Sequence, residues 1–164
     1  MLAPVRSLPM RLFRSLGLIT VGVYAGFAAA AAVMKRVLPS RGDAESDEVA
    51  LVAIFDGAKL RSRSQAFRGG SMLAWFGGVA VDLRESQLAP PGAHLSLHSV
   101  FGGIAIRVPP GWHIESNMRA LAGGVAVQTP QPEAADAPRL VLDGFSFFGG
   151  VAVGARTAEA AFEE

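Results

Sequence analysis

A six-residue phrase recurs through the second half of this chain and fixes what it can fold into. Phe76-Gly77-Gly78-Val79-Ala80-Val81 returns as Phe101-Gly102-Gly103-Ile104-Ala105-Ile106, as Ala122-Gly123-Gly124-Val125-Ala126-Val127, and as Phe148-Gly149-Gly150-Val151-Ala152-Val153. The first glycines stand 25, 21 and 26 residues apart, which suits one supersecondary unit stacked on itself. The register extends upstream: Trp75, Val100, Leu121 and Phe147 are all apolar, and Ala74, Ser99, Ala120 and Ser146 are all small. Stacked units place equivalent positions above one another, so each column must be uniform in size.

After each glycine pair the chain alternates with a period of two, as a half-buried strand does. Val79, Val81 and Leu83, then Ile104, Ile106 and Val108, then Val125 and Val127, then Val151 and Val153 are expected to point inward. Ala80, Ala105, Ala126 and Ala152 are expected outward. Glycine pairs are poor strand formers, so Gly77, Gly78, Gly102, Gly103, Gly123, Gly124, Gly149 and Gly150 read as structural corners, with positive φ expected there. Runs such as His94–Val100 and Arg139–Leu142 supply the other side of each coil. Pro90-Pro91-Gly92, Pro109-Pro110-Gly111 and Thr129 through Pro138 supply turns along one edge. Val49–Phe55 reads as a first strand with Lys59–Ser64 as its return. The fold expected is all-β, a short parallel β-solenoid of three to four coils over residues 49–155.

Ahead of it, Leu16–Met34 is a charge-free run of 19 residues between Arg11, Arg14 and Lys35, Arg36. As a helix it reaches about 28 Å, near the thickness of a bilayer's hydrocarbon core. It reads as one transmembrane helix over 16–34, after a basic segment at 1–15. The run exceeds the h-region of a cleaved signal peptide, and cations follow it at once. Gly22, Gly26 and Ala30 form a candidate helix-pairing face. Cations balance across the span, so the side of the membrane is left open. Residues 35–48 read as a polar tether, and 156–164 as a C-terminal cap or tail.

Chemistry is sparse. The net charge of +1 and the absence of a basic face with interleaved aromatics argue against nucleic acid. With no cysteine, disulfides and thiolate-held metals are excluded. His94 and His98 lie four strand residues apart, about 13 Å, too far to share a metal, and His113 follows Trp112 alone. No serine sits in a Gly-x-Ser-x-Gly elbow. Asp82, Glu85, Glu115 and Asp143 read as scattered solvated carboxylates. Asp82 and Arg107 occupy equivalent positions on successive coils and are expected one strand apart as an exposed ion pair. Neither a cofactor nor a small-molecule substrate is implied.

The stretch from Ile54 to Ala155 resembles the C-terminal domain of LiaF-type proteins, the cell-wall-active antibiotic response family. The resemblance lies in Phe76–Leu83, in Val100-Phe101-Gly102-Gly103-Ile104-Ala105-Ile106-Arg107-Val108-Pro109, in Gly111-Trp112 and in Phe148-Gly149-Gly150-Val151. It implies a right-handed β-solenoid and a membrane protein that modulates a sensor kinase by contact, without catalysis. The expectation is therefore a non-enzymatic, single-pass membrane-anchored interaction domain in the cell-envelope stress response, with a protein partner. The alternative is a solenoid that self-assembles at the membrane, as bactofilins do.

Overall fold

The structure, a computed structural model, describes residues 25–26, 28–30, 32–34, 36–37, 39–130, 132, 134 and 136–155. The chain divides into two compact units, Met1–Val37 and Leu38–Glu164. In the first, the described residues between 25 and 37 are helical. Among the described residues no helix is long and apolar enough to cross a membrane. The basic segment 1–15, most of the expected span with Gly22, and the tail 156–164 lie outside the described residues.

The second unit is built mostly of strands. Its described residues form β1 (Glu48–Ile54), β2 (Gly57–Arg61), β3 (Gly69–Trp75), β4 (Gly78–Asp82), β5 (Ala93–Val100), β6 (Gly103–Arg107), β7 (His113–Leu121), β8 (Gly124–Gln128), β9 (Arg139–Phe147) and β10 (Gly150–Gly154). Odd strands make one parallel sheet and even strands another, so each odd–even pair forms one rung shared between two sheets. Period-two alternation sends one face of each sheet into a common core. Val79, Ile104, Val151 and Val125 align in one inward column, and Val81, Ile106, Val153 and Val127 in the next. Leu51, Met72 and Leu97 face them from the odd sheet, with Leu95 and Leu142 in a neighbouring column. β-Branched side chains fit these pleated, half-buried positions.

Three sequence expectations are corrected. First, the rungs do not stack in chain order: the sheets run β1-β3-β5-β9-β7 and β2-β4-β6-β10-β8, so the last rung lies between the third and the fourth. The link from β6 to β7 passes over one position, and the stretch from Thr129 to Pro138 brings β9 back into the gap, which sets Phe148 directly beside Phe101. Second, Lys59–Ser64 is not a return against β1. Gly57–Arg61 crosses to the other sheet and pairs in parallel with β4, so residues 48–61 are a complete additional rung. Third, residues of the expected tether are held to the sheet. Arg41 and Ala50 exchange backbone hydrogen bonds at 2.6 and 2.8 Å, Ser40 Oγ accepts from Val52 N at 2.9 Å, and Ser64 Oγ donates to Asp47 at 2.7 Å.

Asp82 and Arg107 are register partners on adjacent strands, as expected. Asp82 is buried rather than exposed, however. Arg84 donates from Nε and Nη2 to its carboxylate at 2.9 and 2.7 Å, and the Arg84 backbone N–H donates at 3.1 Å. Arg61 on β2 stands 3.9 Å away. Burial works to raise the Asp82 pKa, but the Arg84 hydrogen bonds and the charges of Arg84 and Arg61 outweigh it. The carboxyl is held below its ordinary range.

Candidate interaction surface

Each corner between an odd and an even strand turns on three residues. The first adopts a left-handed backbone: φ is 56° at Phe55, 51° at Phe76 and Phe101, 47° at Phe148 and 53° at Ala122. The glycines that follow lie at the corners, but none of the eight has positive φ. Their constraint is close approach. A Cβ on Gly77, Gly102, Gly149 or Gly123 would collide with the carbonyl oxygen of Asp56, Gly77, Gly102 or Gly149 respectively. The same carbonyls accept hydrogen bonds at 3.1 Å from the N–H of Gly78, Gly103, Gly150 and Gly124. The second glycine of each pair has room: a Cβ there would meet nothing nearer than 3.7 Å.

A left-handed conformation costs a residue other than glycine about 1–2 kcal/mol, so phenylalanine at four of five corners needs a compensating contact. The rings supply one. Phe55, Phe76, Phe101 and Phe148 stack face to face at 5.0, 4.9 and 5.1 Å, with interplanar angles of 5°, 8° and 2°. Aromatic pairs contribute about 0.5–1.5 kcal/mol each beyond area burial. Phe147 meets Phe148 edge to face at 4.7 Å. All four stacked rings remain 39–52% exposed. Because their faces are used against one another, the ladder presents ring edges outward.

Beside the ladder lies a floor of small residues. Gly57, Gly78, Gly103, Gly150 and Gly124 form one column in register, and Ala80, Ala105, Ala152 and Ala126 the next, with Lys59 at its β2 end. They line a cavity of about 660 Å³. Further along the same strands stands the charged row of Arg61, Asp82 and Arg107. The result is an apolar trough bounded in sequence by aromatic edges before and charges after.

The titratable side chains of the odd sheet are differently arranged. Asp143 accepts from Ser96 Oγ at 3.0 Å and pairs with His94 Nε2. The carboxylate thus sits between hydroxyl and imidazole, an order that leaves the base turned away from the serine. His98 packs on the edge of Phe145 at 4.9 Å, and the His113 N–H donates to Pro138 O at 2.9 Å. Among the described residues no three His, Cys, Asp or Glu side chains cluster as metal ligands do.

Four pairs of corner glycines flagged from sequence are thus brought into line. Gly26 and Ala30 lie on the helix of the first unit. Sequence reasoning missed the aromatic ladder, although the Phe before three of the four Gly pairs was visible. It missed the His94–Asp143 contact because β9 reaches β5 only through the altered rung order. Comparison with family models, with curated proteins and with solved structures finds no match.

Proposed function

We propose that this chain is a non-enzymatic docking module, a short right-handed parallel β-solenoid held at a membrane by its apolar N-terminal segment. Its place is the cell-envelope stress response, where it regulates a sensor kinase by contact, as the likeness to LiaF-type domains implies. The observation that carries the docking role is the exposed ladder of Phe55, Phe76, Phe101 and Phe148 beside the glycine–alanine floor. Aromatic anchors next to small residues let a partner's backbone approach closely, which is how binding energy concentrates in few positions. The anchor rests on the uncharged run Leu16–Met34.

The test has two arms. The full chain should sediment with membranes and resist extraction by high salt. Phe101→Asp, with its circular dichroism unchanged, should alter the output of an envelope-stress reporter by severalfold in cells. A chain recovered in the soluble fraction would remove the anchor, and wild-type output from the Phe101→Asp strain would remove the docking surface. A second reading, self-assembly at the membrane, is favoured by one observation, the exposed terminal rung of β7 and β8. Filaments of purified protein in electron micrographs would support it.

A further inference from the structure

The two ends of the strand stack are not alike. At the β1 end, Val49, Leu51 and Ala53 are buried, and the outward-facing backbone groups of Ala50 and Val52 are taken by Arg41 and Ser40. At the β7 end the same inward columns finish with Ser116 and Ala120 exposed and Met118 half-buried, while Val125 and Val127 of β8 are half-buried too. Among the described residues, one end is strapped over and the other carries exposed strand.

Backbone direction along β7 follows from its bonds. The His113 N–H reaches Pro138 O and the Leu121 carbonyl accepts from Phe148 N, so odd residues of β7 bond inward to β9. Even residues therefore aim their N–H and C=O away from β9; Ile114 is already engaged, and among the described residues nothing is bonded to Ser116 or Met118 there. Such an edge is a template for another strand.

The side chains say which strand. Glu115, Asn117 and Arg119 share the outward face of β7, where Glu115 Oε2 also stands 3.6 Å from Arg139 Nη1 of the neighbouring β9, a partly exposed contact that leaves the carboxylate reachable from the open side. If a second copy pairs antiparallel about a two-fold axis at Asn117, Ser116 and Met118 exchange hydrogen bonds with Met118 and Ser116 of that copy. Glu115 then stands opposite Arg119 of the second copy, and Arg119 opposite its Glu115. Residues 115, 117 and 119 fall at non-hydrogen-bonded pairs, where side chains come closest. No other even-residue register centred on this segment matches both charges.

We propose that the β7 edge joins two copies of this chain into a closed two-fold dimer through the segment Glu115–Arg119. A two-fold interface uses the same patch on both copies and stops at two. The strap of Ser40 and Arg41 across β1 keeps the opposite end from continuing the array. The inference depends on the strand order and on the backbone and charges of the β7 edge, and stands whether or not the chain is anchored or meets a kinase.

The test is charge exchange, read by analytical ultracentrifugation of the full chain in detergent, with circular dichroism to verify folding. Wild type should be dimeric. Arg119→Glu and Glu115→Arg should each weaken the dimer about tenfold or more, because both cross-strand pairs become like-charged. The double variant Glu115→Arg/Arg119→Glu should recover wild-type affinity, and mixing the two single variants should give a heterodimer. A monomer at all concentrations, filaments, or a dimer that ignores these charges would overturn the proposal. The last outcome would assign association to another surface, such as the helix bearing Gly26 and Ala30.

Discussion

At the corner between β5 and β6, the Gly103 N–H reaches Gly77 O at 3.1 Å, and that short approach leaves no space for a side chain on Gly102. Gly103, one residue on, would place a Cβ 3.9 Å from the nearest atom, an ordinary contact. The two glycines of the phrase therefore differ in kind. Gly102→Ala should destabilise the unit by at least about 2–3 kcal/mol, since backbone must shift to relieve the collision. Gly103→Ala should change stability by less than about 1 kcal/mol. Denaturant melts of the two variants check this, and equal losses would show that the doublet is needed for some other reason. From sequence the glycine was expected at the corner for a conformational reason, whereas its constraint is close approach. The left-handed residue is the phenylalanine before it, and positive φ at a large side chain is a cost that sequence alone gives no cause to expect.

Among the elements, β4 shows how a strand end is held. Asp82 closes the strand by accepting from Arg84 in the following turn, with Arg61 of the neighbouring β2 nearby. Its pKa is depressed in the folded state, so the contribution is full above the unfolded value of about 4 and is lost as pH falls through the lower folded value. Asp82→Asn should cost about 1–2 kcal/mol at pH 7, and the gap from wild type should close in acid. Thermal melts from pH 7 to 2 measure it; a constant gap would mean that the carboxylate charge is not what matters. Strand existence and inward faces were legible in the alternation of Val79 to Leu83 and Ile104 to Val108. The β1 half of the first rung was legible too, but its β2 half was not, because Asp56 and Lys59 stand where later copies have glycine and alanine. At an end rung no further strand crowds that corner, so the glycine is not required.

Across the whole molecule, the order of the rungs was the hardest feature to read. Ala105, Ala126 and Ala152 are the same residue in the same column, so the repeat that specifies a stack does not specify its sequence of neighbours. One signal was present. Stacking in chain order would set Ala122 between Phe101 and Phe148, breaking the aromatic ladder, whereas the observed order keeps four rings contiguous and moves Ala122 to the end. Both functional proposals depend on that placement: the continuous ridge needs Phe148 beside Phe101, and the dimer needs β7 at the open edge. Methyl–methyl nuclear Overhauser effects among the three alanines, in full-length protein carrying ¹³C-labelled alanine methyls, measure the order directly. Neighbouring parallel strands lie about 4.8 Å apart and next-nearest ones about 10 Å. The expected result is a cross-peak from Ala105 to Ala152 and another from Ala152 to Ala126, with none from Ala105 to Ala126. A direct cross-peak between Ala105 and Ala126 would place the rungs in chain order and contradict the account.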